Sequence, residues 1–312
     1  MISGSIAIDR IMNFSGRYKD VIKPEKIHVL SLSVLLKALQ TTEGGVGANI
    51  AYTLALLGES PVLIGSVGND AKQYIRKLQS LGVDISKIHT SLLPTASFNV
   101  ITDLDDNQVG GFYPGAMADP NKLSLENTHA HTIFVVSPDD PSVMAHYVSE
   151  CVKHKVRMVY DFGQQVSNMS PSFLKRGVWN AEVIIANDYE MAVLSEKIGK
   201  SLKEIISHVP VCVTTLGEKG SIMQGTKVKK TVRISPAHAK KVIDPTGAGD
   251  AYRAGFLYGY IRDFDLQVCG QIASLAAVYA IESMGTQNHH FTQKEFAKRY
   301  AAHYHQSLEI FM

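Results

Sequence analysis

Cysteine is scarce. Only Cys151, Cys212 and Cys269 occur in 312 residues, far apart. That count and spacing exclude a disulfide framework and a CxxC metal or redox motif, and leave three buried thiols as the expectation. Long apolar runs are also missing. The stretch Ala51 to Leu57 falls far short of the ~20 residues that a membrane span needs. No basic segment leads into an apolar core and a cleavage site, so a cytoplasmic protein off the membrane is expected. Charge of one sign is not in excess: 31 Lys and Arg face 29 Asp and Glu, a net charge of +2. Nucleic-acid binders usually concentrate a basic surplus, so no nucleic-acid partner is expected. A small anion held in one pocket is not excluded by a neutral total. Twelve histidines, including His289, His290, His303 and His305, never take HExxH spacing, which speaks against a zinc site. Internal repeats and low-complexity tracts are absent.

What is present is a β-then-α rhythm. Ile133–Val136, 157–160, 183–186 and 211–214 read as short buried strands, β-branched and followed by polar turns. Helical stretches are expected at 142–154, 170–179, 189–198 and 201–207. That alternation predicts an α/β fold with a mostly parallel sheet flanked by helices, its ligands beyond the carboxyl ends of the strands. Two regions break the rhythm. Residues 6–14 and 26–32 look extended, with no long helix between them. Residues 97–102 and 109–113 flank the polar tip Asp103–Asn107 and read as a hairpin. Together these predict a small β-sheet lid inserted into one large domain.

Two glycine-rich segments carry the chemistry. The first, Glu43-Gly44-Gly45-Val46-Gly47-Ala48-Asn49-Ile50-Ala51, opens an apolar helix that ends near Gly58. Glycines ahead of a helix bring free N–H donors close to a ligand. A dinucleotide-binding fingerprint fails, because Ile50 stands where its third glycine belongs, and this disfavours a Rossmann dehydrogenase. No Lys-Ser or Lys-Thr completes a Walker A loop. A tight turn before a packed helix explains the segment equally well, except that the amide of Asn49 demands a specific partner.

The second is Asp244-Pro245-Thr246-Gly247-Ala248-Gly249-Asp250-Ala251-Tyr252-Arg253-Ala254-Gly255-Phe256. Gly247, Ala248 and Gly249 form a small turn whose N–H groups can converge on a phosphoryl group at a helix N-terminus. Asp250, in the first helical turn, suits a carboxylate that takes a proton from a hydroxyl. Its alternative is an acid that merely complements the helix dipole. Arg253 lies one turn later, able to reach a phosphate or to serve a surface ion pair.

These two segments resemble the signatures of the ribokinase/PfkB carbohydrate kinases. The resemblance extends over nearly the whole chain, through Gly4–Asp9, Asn187-Asp188-Tyr189-Glu190 and Thr215-Leu216-Gly217-Glu218-Lys219-Gly220. It implies one ribokinase-like domain over 1–312, with a lid from about 9–43 and 96–117. It implies transfer of the ATP γ-phosphate to a hydroxyl, with Asp250 as base and Gly247, Ala248 and Gly249 as anion hole. Asp9, Gly45 and Asn49 match positions that hold ribose hydroxyls. Asn187 and Glu190 match a motif that acts on Mg²⁺ and phosphate through water. Thr215, Gly217 and Gly220 match the loop lining the nucleotide. A monovalent cation such as K⁺ is expected near Asp244 and Thr246.

Within the family, the chain resembles the bacterial adenosine kinase and archaeal nucleoside kinase branch. That rests on Asp9–Arg17, the hairpin Asp103–Gln108 with Phe112–Met117, Arg253, and Gly285-Thr286-Gln287. Phe98, Phe112 and Met117 are candidates for an apolar slot around the base, or are lid core. The implied activity is 5′-phosphorylation of adenosine or another nucleoside, a step of purine salvage, by a monomer or homodimer. A kinase for free ribose or fructose and a non-catalytic nucleoside sensor are the alternatives.

Overall fold

The computed structural model describes residues 1–120 and 122–308. Thirteen strands follow in chain order: β1 (Ile2–Ser3), β2 (Ala7–Phe14), β3 (Leu36–Gly44), β4 (Val62–Val67), β5 (Asp84–Thr90), β6 (Ala96–Thr102), β7 (Gln108–Tyr113), β8 (Ile133–Val136), β9 (Arg157–Tyr160), β10 (Val183–Asn187), β11 (Val211–Thr215), β12 (Ser221–Gln224) and β13 (Val232–Ile234). Nine form one sheet in the order β13-β12-β11-β10-β9-β8-β1-β4-β5, and four form a second, β3-β2-β6-β7. The large sheet is parallel from β5 across to β11, and antiparallel only at β12 and β13.

Side chains alternate between the two faces of a strand, and here both faces are covered. Val135, Val159, Val183, Ile185 and Val213 face the helices Val46–Leu56, Ala248–Tyr260 and Leu266–Ile281. Phe134, Val136, Met158, Tyr160 and Ile184 face the helices Pro141–His154, Pro171–Asn180 and Asp188–Ile198. Fully burying each such side chain contributes about 1.5–3 kcal/mol, which is why these strands read as unbroken apolar runs. The expected central strands and helices agree with the structure to within a residue at most ends. Among the described residues, no helix is long and apolar enough to cross a membrane.

The second sheet rises from the carboxyl edge of the first. After β1, the chain turns at Gly4–Ile6 and enters β2; β3 brings it back into the helix Val46–Leu56. Ala7, Ala96 and Met117 form a small apolar cluster at the base of this lid sheet. The hairpin β6–β7 lies where expected, and β6 pairs in parallel with β2. One expectation fails. Residues 26–32 are not a strand: Pro24–Val29 form a 3₁₀ helix, and β3 starts further on at Leu36. The reason is physical. β3 is an edge strand with mostly exposed residues, so no burial alternation marks it. The 3₁₀ helix before it carries the apolar side chains, with Ile27 and Val29 63% and 66% exposed.

The helices Ala248–Tyr260 and Leu266–Ile281 cross closely at Gly255, where a Cβ would stand 2.7 Å from the Ala273 Cα and 2.8 Å from the Ile272 carbonyl oxygen. Gly255→Ala gains up to about 1 kcal/mol of helix propensity. The clash is with backbone that cannot give way, and overpacking of this kind costs about 1–3 kcal/mol. The urea midpoint of Gly255→Ala is therefore expected to fall below that of the native chain.

Candidate active site

Two cavities meet at the start of the helix Ala248–Tyr260. The first, about 470 Å³, lies under the lid. Its walls take in Asp9, Gly45, Asn49, Phe98, Phe112 and Met117, the six residues expected to hold the acceptor. The second, about 550 Å³, lies between the Thr215–Gly220 turn and the helix start. It is lined by Thr215, Gly217 and Gly220 on one side and by Ala248 and Gly249 on the other. Asp250 faces the first cavity, and the glycine turn separates the two. Asn187 and Glu190 line neither; Glu190 reaches the centre through Arg253 instead.

The turn is built by sequence. Gly247 is the N-cap, at φ +80°, a left-handed conformation that a Cβ disfavours, and no side chain caps this helix. Ala248 N–H makes only a 3.3 Å bond to the Pro245 carbonyl. The dipole end of a 13-residue helix therefore opens onto the junction. Asp244 braces the turn from below, each carboxylate oxygen accepting a backbone N–H, from Thr246 and from Gly285, both at 2.9 Å.

Asp250 is held from across the molecule. Asn49 Nδ2 donates to its Oδ2 at 2.8 Å, and Gln287 Nε2 donates to Asn49 Oδ1 at 2.8 Å. The same Gln287 nitrogen lies 2.5 Å from the Tyr74 hydroxyl, which donates to the Gly44 carbonyl at 2.8 Å. Both ends of the Asn49 amide are thus engaged, in a line running from the lid hinge to the carboxylate. Burial lifts Asp250 above the usual carboxylate range; the Arg253 charge and the Asn49 hydrogen bond oppose that lift. Burial, with Asp250 and Asp244 nearby, raises Asp9 to about 6.

The lid contributes a row. In register, Thr42, Asp9, Phe98 and Phe112 lie side by side across β3, β2, β6 and β7. Residues in register project from the same face of a sheet. A carboxylate therefore sits beside one aromatic ring, with a second ring beyond it in the same row, and all three line the first cavity. Phe98 and Phe112 are 38% and 50% exposed, so they are not lid core.

Arg253 is in an ion pair, as the alternative held, but a buried one and not at the surface. Its side chain is 11% exposed and is clasped by Asp161, which is 1% exposed. Asn187 and Glu190 form a capping box: Glu190 N–H donates to Asn187 Oδ1 at 2.7 Å, and Asn187 N–H to Glu190 Oε2 at 2.9 Å.

Several residues of the cavity and of the Arg253 cluster behind it escaped the sequence reading. Asp139, just after β8, and Asp161, just after β9, sit at strand carboxyl ends, where an acidic residue is itself a signal. Asp139 lines the first cavity, and burial raises it to about 7. Gln164, Gln165 and Asn168 line it from a 3₁₀ turn that carries no pattern of its own.

His289 is a core histidine. It is 1% exposed, its Nε2 is 3.1 Å from the Thr53 hydroxyl, and burial lowers it to about 4. An unfolded histidine takes its proton near 6.5, so the stability it gives is full above that pH and is lost as pH falls toward 4. The loss is roughly 3 kcal/mol. His289→Gln is expected to flatten this part of the stability profile in urea titrations between those pH values.

Fold and site together define a phosphotransferase that acts on an alcohol group, built on the ribokinase-like fold. The chain belongs to the pfkB family of carbohydrate kinases, whose model matches residues 8–293. A nucleoside kinase of Methanocaldococcus jannaschii is 30% identical over 303 residues, 96% of each chain. A nucleoside kinase of Methanothermobacter thermautotrophicus is 32% identical over 278 residues, 86% of this chain and 88% of that one. The solved nucleoside kinase of Burkholderia thailandensis in complex with inosine superposes with a TM-score of 0.86 at 33% identity, covering 98% of each chain. That enzyme has also been solved as an ADP-inosine complex, with a TM-score of 0.85.

Proposed function

We propose that this chain is an ATP-dependent nucleoside kinase that moves the γ-phosphoryl group of ATP onto the 5′-hydroxyl of adenosine and of further nucleosides. One observation carries the reading: a lidded cavity with a carboxylate in an aromatic row adjoins a glycine-lined cavity across the Gly247–Gly249 turn, with Asp250 on the lidded side. Full-length relatives that are nucleoside kinases support it.

In this reading the ribose hydroxyls donate to Asp9 and lie against Gly45 and Asn49, while the base rests on Phe98, Phe112 and Met117. The amides of Gln164, Gln165 and Asn168 face the same cavity. Each carries both a donor and an acceptor, so a 6-amino or a 6-oxo purine finds a partner. ATP lies in the second cavity with its γ-phosphate at the Gly247, Ala248 and Gly249 amides. Asp250 accepts the 5′-hydroxyl proton as the oxygen bonds to phosphorus and ADP departs. The helix N-terminus stabilises the moving charge. Lid closure about Gly44–Gly45 excludes water.

Asn187 and Glu190 would hold Mg²⁺ through water, because their capping box engages Asn187 Oδ1 and Glu190 Oε2. When bound, the ion neutralises phosphate oxygens. A monovalent cation at Asp244 and Thr246 would share the oxygens that brace the glycine turn.

A sugar kinase for ribose or fructose is the second reading. The aromatic row disfavours it, since a free sugar leaves Phe98 and Phe112 uncovered. ADP release measured with adenosine, inosine, guanosine, cytidine, ribose and fructose decides between them. Adenosine and inosine are expected to exceed both sugars in kcat/KM by at least ~100-fold, the reach of one well-filled apolar subsite. Equal or faster turnover of ribose or fructose would overturn the nucleoside assignment. Binding of adenosine without any ADP release would point to a sensor.

Asp9 accepts from ribose hydroxyls most strongly when ionised, and burial raises its pKa to about 6. Adenosine KM is therefore expected to fall as pH rises through that value. Hydrogen bonds to a charged group contribute about 1.5–3 kcal/mol, so Asp9→Asn should raise KM roughly 10- to 100-fold and remove its pH dependence. Steady-state kinetics from pH 5 to 8 check both outcomes.

A further inference from the structure

Asp250 and Arg253 stand three residues apart on one helix face, a spacing at which an acid and an arginine ordinarily pair. Here they do not close. Arg253 Nη1 is 4.0 Å from Asp250 Oδ1. The guanidinium turns instead to Asp161: Nη2 donates to Oδ1 at 2.7 Å, and Nε lies 2.6 Å from Oδ2. Glu190 Oε2 is 3.8 Å from Nη2. Gly249 leaves the room for this pose, since a Cβ there would come within 2.8 Å of Nη1.

The two oxygens of Asp250 differ. Asn49 occupies Oδ2. Oδ2 keeps one further lone pair, whereas Oδ1 keeps both for a hydroxyl proton, and Oδ1 is also the atom nearest Arg253. A short, charge-assisted bond from Arg253 would occupy it. With Asn49 on one oxygen and Arg253 on the other, both oxygens would be engaged and the carboxylate would be a weaker base.

We propose that Asp161 is a positioning residue: it draws the Arg253 guanidinium off Asp250 Oδ1, so the base stays open to the acceptor hydroxyl while the cation remains beside the transferring phosphoryl group. This rests on Asp250 being the proton acceptor. The groups that face Asp250 are Arg253 on its own helix, Glu190 on the helix Asp188–Ile198, Asp9 on β2, Asp161 after β9, and the uncharged Asn49. Loss of Asp161 removes a negative neighbour and lets the guanidinium approach. Both changes favour the ionised form of Asp250 and so weaken it as a base.

The test uses the full chain at saturating adenosine, where Asp9 is covered by ribose. Asp161→Asn is expected to lower kcat roughly 10- to 100-fold, the scale of a misplaced catalytic group. Adenosine KM should hold within about threefold, and the acid limb of the kcat–pH profile should move to lower pH. On an Arg253→Gln background, the same substitution is expected to change kcat by less than about threefold, because no guanidinium is left to hold. The double variant also removes both buried charges, so it reports even where Asp161→Asn alone fails to fold. Unchanged kcat and an unmoved acid limb in Asp161→Asn would overturn the positioning role. So would a larger further loss in the double variant than in Arg253→Gln. Native turnover of adenosine separates the two levels. Its absence would overturn the proposed function, whereas native activity beside an unaffected Asp161→Asn would overturn only the role of Asp161.

Discussion

One buried cation holds the centre of this molecule. Arg253 lies among Asp161, Glu190 and Asp250, all three nearly closed off from solvent. Taking carboxylates out of water costs several kcal/mol each unless a counter-charge compensates. Burial pushes both Asp161 and Asp250 upward, and Arg253 pulls both back. Two contacts of 2.6 and 2.7 Å tie the guanidinium to Asp161, whose carboxyl burial still raises to about 7. Asp250 keeps the weaker interaction, and with it a basicity above that of an ordinary carboxylate. A single arginine thus lets three acids meet at the carboxyl edge of the sheet while standing 4.0 Å from Asp250 Oδ1.

The two sheets supply what that centre needs. The large parallel sheet fixes Asp139, Asp161, Asn187 and Thr215 at or just beyond the ends of β8, β9, β10 and β11. The lid sheet brings Asp9, Phe98 and Phe112 into one cross-strand row above them. Gly44 ends β3, Gly45 caps the helix that carries Asn49, and the hydrogen-bonded line through Tyr74, Gln287 and Asn49 runs from that hinge to Asp250. One hydrogen-bonded line thus joins the start of the lid strand's return helix to Asp250.

Much of this was legible in the residues alone, for reasons that differ from place to place. Strands buried on both faces announce themselves, so Ile133–Val136 and Arg157–Tyr160 were read with their observed bounds. The Asp244–Phe256 segment was legible because a glycine turn and an acid at a helix start form a local unit. β3 was not, since a wet edge strand leaves no periodicity, and an apolar 3₁₀ helix before it drew the reading away. Asn49 advertised that it needed a partner, but the partners, Asp250 and Gln287, lie 201 and 238 residues along the chain. Asp161 carried only the weak signal of an acid at a strand end, and the Gln164–Asn168 turn none, because their meaning comes from what the fold sets opposite them. Arg253 was read as exposed or phosphate-bound for the same reason: its burial is a property of the assembled centre.

The central claim is that one carboxylate, Asp250, takes the proton of the acceptor hydroxyl where the two cavities meet. Asp250→Asn tests it most directly, with turnover and calorimetric adenosine binding measured on the same preparation. Loss of a positioned general base costs about 10²- to 10⁴-fold, so kcat should fall within or beyond that range while the adenosine Kd stays close to native. Turnover within about tenfold of the native chain, a loss smaller than a general base accounts for, would contradict the claim.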